Sequence, residues 1–190
     1  MTRLPVYILA GGRSSRFGSD KARAVLDGRP MIQRLVEAAN PIAAVIKVVA
    51  ETPAKYDDLG LDTIVDILPQ RGPLGGLHTA LTDMDQPGWL LLLSCDLLVL
   101  KPAWIDTLIA HAQGETRAVA FRADDRWQPM PGLYHTSIRP VVEQRLAESQ
   151  LAIQGLLREI HTVEAPLPPD WPDRLQANTP ADIDDAERRD

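Results

Sequence analysis

The chain has 190 residues, a little more than the roughly 150 of an ordinary domain, so a single domain spanning 1–190 is expected and a large multidomain assembly is excluded. Lys and Arg number 20 against 26 Asp and Glu, a net charge of −6; whole-surface binding of nucleic acid is thereby excluded, and any polyanionic ligand must meet a local basic site. Hydrophobic residues make up 45% and aromatic residues 5%, which excludes a wholly disordered, tail-like protein and leaves aliphatic side chains to supply most of the buried surface.

In chain order, Pro5 to Ala10 is short, rich in β-favouring side chains and followed by a glycine pair, so it reads as a buried first strand. This run is too short for a signal peptide core or a membrane span, and a soluble, unprocessed protein with no membrane partner is expected. Met31 to Ala39 spaces Ile32, Leu35, Val36 and Ala39 at helical intervals behind Pro30. A strand at Val45 to Ala50, a short helix near Pro53 to Leu59 and a short strand at Thr63 to Asp66 follow. Beyond a loop at Ile67 to Pro73, a helix from Leu74 to Met84 leads into Trp89 to Ser94, whose almost unbroken apolar run is that of a strand covered on both faces. Pro102 opens a helix to about Ala112, and Ala118 to Phe121 and Leu133 to Tyr134 read as strands flanking the polar segment Arg122 to Gln128. Helices follow at Ser137 to Ala147 and Ala152 to Arg158, then a proline-rich surface excursion at Ala165 to Pro172 and an acidic, solvated helix face from Asp182 to Asp190. The alternation predicts an α/β fold, a three-layer α/β/α sandwich around a mostly parallel sheet, with ligands at the carboxyl ends of its strands.

The loop after the first strand, LAGGRSSRFGSDKA over residues 9–22, combines Gly11, Gly12 and Gly18 with Arg13, Arg16 and Lys21. Glycines let main-chain N–H groups approach an anion, Arg offers a bidentate fork and Lys a movable charge, so the loop suits phosphate. A merely solvated surface loop is the alternative, but a loop leaving a buried strand commonly carries function. The dinucleotide pattern GxGxxG and the GxxxxGK[ST] loop both fail on spacing: Gly11 and Gly12 are adjacent, and Lys21 lies three places after Gly18. Hydride transfer therefore loses its main support.

This loop resembles the N-terminal signature of the molybdenum cofactor guanylyltransferases and related nucleotidyltransferases, commonly written LAGGxSxRMGxDKA, with Phe17 in place of the usual Met. Asp66 precedes a Gly72-Pro73-Leu74-Gly75-Gly76 turn, where small residues at a helix start let a ring or phosphate approach, or simply make a tight turn. The family has a GPL[AG]G turn here after a nucleotide-contacting Asp. Asp96 lies just past the apolar strand, where a hard carboxylate can hold Mg²⁺ or cap a loop. The family motif there is PCDxPxLP, its Asp a metal ligand; Ser94 and Leu98 replace its first two prolines. Gln128-Pro129 resembles the family's Q/H-P pair near the acceptor, and Gln176 to Asp182 its NxNTPxD, with Gln176 for the usual Asn and Ala50 where some members have a nucleotide-contacting Asn.

The resemblance implies a Rossmann-like nucleotidyltransferase sheet and Mg²⁺-dependent transfer of GMP from GTP to molybdenum-molybdopterin, with release of pyrophosphate. Leu9, Ala10, Gly11 and Gly12 would hold GTP through their backbone, Arg16 and Lys21 would be catalytic with Lys21 also binding GTP, Asp66 would hold the nucleoside, and Asp96 would hold both GTP and the metal. A protein that delivers or receives molybdopterin is implied as well. Two alternatives stay open: a relative using CTP or a sugar-1-phosphate acceptor, and a noncatalytic nucleotide-binding homologue. The Gly11-Gly12 pair favours guanine by resemblance, since cytidylyl relatives tend to carry Ala-Ala or Ala-Gly.

The single cysteine, Cys95, cannot form an internal disulfide, and the four histidines show no metal-ligand spacing. A reducing, cytoplasmic setting and a buried, unreactive Cys95 are expected.

Overall fold

A computed structural model describes residues 3–11 and 20–188. Its strands and helices in chain order are β1 Leu4–Leu9, β2 Val25–Leu26, β3 Arg29–Pro30, α1 Met31–Ala39, β4 Ala43–Ala50, β5 Thr63–Val65, α2 Gly72–Asp83, β6 Trp89–Ser94, α3 Pro102–His111, β7 Ala118–Ala123, β8 Arg126–His135, α4 Arg139–Ala147, α5 Ile153–Glu159, β9 Thr162–Ala165 and α6 Pro180–Glu187. Gly12, Arg13, Arg16, Phe17 and Gly18 of the glycine-rich loop lie outside the described residues.

Seven strands form one sheet in the order β5-β4-β1-β6-β8-β7-β9, with β2 and β3 in a separate hairpin. β1 lies parallel to β4 and β6, β4 to β5, and β7 to β9, while β8 runs antiparallel to both its neighbours. Alternation along β1 and β6 divides the interior in two. Val6, Ile8, Leu91 and Leu93 pack with Ile32, Leu35, Trp104 and Ile105 of α1 and α3. Tyr7, Leu9, Leu90 and Leu92 pack on the opposite face with Leu74, Leu77, Val142 and Leu156 of α2, α4 and α5. The result is the expected three layers, with a mostly parallel sheet in the middle. Among the described residues no helix is long and apolar enough to cross a membrane.

Several boundaries differ from the sequence expectation. The segment near Pro53 to Leu59 forms only a 3-10 turn at Asp57–Leu59, and α2 begins at Gly72, two residues early. The polar stretch Arg122 to Gln128 is a tight hairpin: Asp124 and Asp125, with φ of 48° and 59°, turn the chain so that Ala123 pairs with Arg126. Asp tolerates this left-handed backbone better than most residues, and strand β8 therefore extends far beyond Leu133 and Tyr134. Pro129 and Pro131 obscure it in the sequence. Ala120 pairs with Gly132 and Phe121 with Gln128, so both prolines fall in a bulge that requires no N–H from them. β9 is a four-residue edge strand with too little pattern to announce itself.

β1, β4, β5 and β6 all end at one edge of the sheet. Gly11, Glu51, Asp66 and Asp96 follow them there.

Candidate functional site

β6 is buried from Leu90 to Leu93 and emerges at Ser94, so its register delivers Asp96 to the carboxyl edge with little freedom of placement. Asp96 Oδ1 accepts a hydrogen bond from Ser94 Oγ at 2.5 Å, and Oδ2 accepts one from Lys21 Nζ at 2.8 Å. The pair is mostly sheltered, the Lys21 and Asp96 side chains being 15% and 17% exposed. Proline at position 94 could not make the Ser94 contact, so the departure from the family motif orients this carboxylate. The backbone is secured too: Ala177 N–H donates to the Asp96 carbonyl at 2.9 Å, and Leu98 N–H to the Leu175 carbonyl at 3.0 Å. Residues 175–177 therefore form a strap along the Asp96 loop, which puts Gln176 and Asn178 beside it.

Lys21 opens a 3-10 turn, Lys21–Arg23, capped by Asp20, whose Oδ1 accepts from Ala22 N–H at 3.1 Å. Asp20 is also the meeting point of Tyr56 Oη, 3.1 Å from Oδ2, and Lys55 Nζ, 3.2 Å from the same oxygen. Arg23 continues the ionic group to Asp58 at 2.8 Å. Sequence reading passes over Asp20, Lys55 and Tyr56. The capping Asp was a usable signal, but nothing in the polar run around Tyr56 marks that ring as fully buried.

Leu9 and Ala10 are buried, and the Ala10 N–H donates to the Val49 carbonyl at 2.9 Å. Gly11, which follows them, is exposed. Gly12, expected by resemblance to bind the nucleotide, and Arg16, expected to be catalytic, lie outside the described residues. Asp66 stands three strand positions from β6, roughly 14 Å at ordinary strand spacing. Its Oδ1 accepts from Thr79 Oγ1 at 3.1 Å and from Leu68 N–H at 3.0 Å. The structure thus joins Lys21 with Asp96 directly, and puts Asp66 on the same edge without contact to either.

Two glycines of the Gly72 to Gly76 turn, Gly75 and Gly76, make room for the protein's own packing. A Cβ on Gly75 would stand 2.8 Å from the Leu68 carbonyl oxygen, and one on Gly76 would stand 2.7 Å from Leu9 Cδ2. These two positions let α2 close onto β1 and onto the Asp66 turn, a packing role beside the two readings, ligand approach and tight turn, that the sequence left open. Cys95 is also accounted for: burial, with the charge of Asp96 adding to it, pushes its thiol up to about 12, so it is a neutral group beneath the site.

Residues 6–163 match the family model described as MobA-like NTP transferase domain. The chain belongs to this family. A Deinococcus radiodurans protein named "Probable molybdenum cofactor guanylyltransferase" is 38% identical over 151 residues, covering 79% of this chain and 77% of that relative. A Synechococcus elongatus protein of the same name is 34% identical over 186 residues, covering 92% and 93%. The crystal structure of molybdopterin-guanine dinucleotide biosynthesis protein A from Archaeoglobus fulgidus superposes with a TM-score of 0.81 at 22% identity, covering 98% of each chain, and so shares the fold. In this MobA-like NTP transferase domain the strap at 175–177 lies beyond the matched residues, yet it holds the Asp96 loop in place.

Proposed function

We propose that the chain acts as one domain that transfers GMP from GTP to molybdenum-molybdopterin and releases pyrophosphate. The observation that carries the reading is the 2.8 Å pairing of Lys21 with Asp96, a cation and a carboxylate brought together from 75 residues apart at the carboxyl edge of a nucleotidyltransferase sheet. An oxygen of the acceptor's phosphate attacks the α-phosphorus, the bond from that phosphorus to the bridging oxygen breaks, and pyrophosphate leaves with the electron pair. A phosphate monoester is already a nucleophile near neutral pH, so no side chain has to remove a proton. Lys21 and Arg16 would balance the negative charge on the phosphoryl oxygens, the nucleotide would enter where the chain leaves β1 at the exposed Gly11, and Asp66 would meet the nucleoside. Catalysis is then alignment and electrostatics. Names of relatives at 34% and 38% identity support GTP and molybdopterin as the substrates.

Asp96 fits Mg²⁺. Among the described residues no group of three or more His, Cys, Asp or Glu could hold a metal, but Mg²⁺ needs only one or two carboxylates when water and substrate phosphate complete its shell. Asp96 would hold it, and the ion would neutralise phosphate charge. Because Lys21 Nζ already occupies Oδ2, Mg²⁺ alone is expected to leave the melting temperature nearly unchanged. Mg²⁺ with GTP at about a hundred times its Kd should add about 2.7 kcal/mol, or roughly 5–11 °C for a chain of this size. An equal shift from Mg²⁺ alone would show a site independent of substrate.

The same thermal titration tests the base. With Mg²⁺ present, GTP is expected to stabilise the protein at lower concentration than CTP, and pyrophosphate should appear once molybdopterin is added. Stabilisation by CTP in preference to GTP overturns the guanylyl reading, and nucleotide binding without any pyrophosphate marks a noncatalytic homologue.

A further inference from the structure

We infer that Tyr56 and Lys55 are positioning residues that set the reach of Lys21 through Asp20. The inference rests on the guanylyl-transfer reading above and names a part of the site that reading does not use.

Two contacts among the described residues bear on Lys21. At its tip, Nζ meets Asp96 Oδ2. That contact must be exchanged when phosphate arrives and Asp96 takes a metal, so it cannot define where Nζ stands during reaction. On the backbone side, Asp20 caps the turn through Ala22 N–H, and this contact is untouched by the exchange. Asp20 is fixed in turn by a fully buried phenol: the Tyr56 hydroxyl donates to Oδ2 at 3.1 Å and lies 3.5 Å from the Ala10 carbonyl, tying the turn to the exit of β1. Burial, then the neighbouring Asp20 charge, holds this phenol in its protonated, donating form.

Lys55 supplies the balancing charge, 3.2 Å from Asp20 Oδ2 and 2.8 Å from Glu51. It also stands 5.2 Å from the centre of the Tyr56 ring, with the Arg23 guanidinium 5.3 Å from it. A ring gripped by two cations, with its hydroxyl on a capping carboxylate, is a rigid support for a turn of only three residues. A flexible lysine depends on such support, because a displacement near 1 Å can cost as much as about a hundredfold in rate.

The test measures pyrophosphate release and GTP affinity for Tyr56→Phe, Lys55→Met and Lys55→Arg, each checked for folding by circular dichroism at the assay temperature. Tyr56→Phe and Lys55→Met are expected to lower kcat about tenfold while GTP affinity changes less than about twofold, and Lys55→Arg should recover most of the rate. In a Lys21→Ala background, Tyr56→Phe should cost nothing further, since the group it positions is gone. Wild-type kcat in Tyr56→Phe, or the same fractional loss in both backgrounds, overturns the inference. If Lys21→Ala is slow and Tyr56→Phe is not, only the positioning role falls; if Lys21→Ala itself turns over normally, the underlying reading of Lys21 falls with it.

Discussion

Replacing Lys21 by Ala, or Asp96 by Asn, is expected to slow pyrophosphate release by about 10²- to 10³-fold, the usual cost of about 2.7–4 kcal/mol for removing one preorganised charge-stabilising group. On the proposed role of Lys21 the loss should appear in turnover more than in GTP affinity, because the charge it would oppose is greatest while the phosphoryl group is in transit. The fold should survive either change. Lys21→Ala leaves Asp96 hydrogen-bonded to Ser94 Oγ and to the strap through its carbonyl, and Asp96→Asn keeps the side chain's shape. Lys21→Arg should recover only part of the rate, since a planar fork on a different stem does not reproduce a compact ammonium. Single-turnover measurement of all three, with melting curves alongside, checks the expectation; near-normal turnover in Lys21→Ala or Asp96→Asn would defeat the assignment.

The largest effect on stability is expected from Trp104→Ala, at about 3–5 kcal/mol, or roughly 6–20 °C in melting temperature at this chain length. Trp104 is 1% exposed and packs beneath Trp171, their ring centres 5.0 Å apart, with Trp171 in turn 5.0 Å from Phe121. Its Nε1–H donates to Asp170 Oδ1 at 2.9 Å, and Lys101 Nζ donates to Oδ2 of the same carboxylate at 2.6 Å. Three aromatic rings thus fasten the proline-rich excursion to α3 and β7, just before the chain becomes the strap beside Asp96. Trp104→Phe retains an aromatic ring but loses the hydrogen bond, and should lose about half as much or less. Thermal unfolding followed by circular dichroism compares the two, and a drop under about 3 °C for Trp104→Ala would show that these rings do not anchor the segment.

The parts legible in the sequence were those in which one physical requirement dominates a contiguous run. β6 must be apolar on both faces, and Trp89 to Ser94 says so in six letters. That Lys21 and Asp96 meet was legible for a similar reason, since each belongs to a short motif that follows a predicted strand. What escaped depends on partners distant in the chain or on backbone geometry. Tyr56 meets Asp20 across 36 residues, so nothing local marks it. β8 is hidden by two prolines whose bulge exists only once β7 lies beside it. The Gly75-Gly76 pair was noticed without its neighbours: small residues announce that something comes close, and Leu68 and Leu9 of the protein itself come close there.

The hydrogen bond from Ala177 to Asp96 also orders events in time. As a chain leaves the ribosome, β1, β4, β5 and β6 are complete by residue 94 and can begin to associate, whereas the carboxylate loop acquires its last neighbour only after residue 177 has been made. A nascent molecule therefore has the four parallel strands on one side of its sheet well before the loop that carries Asp96 is tied down.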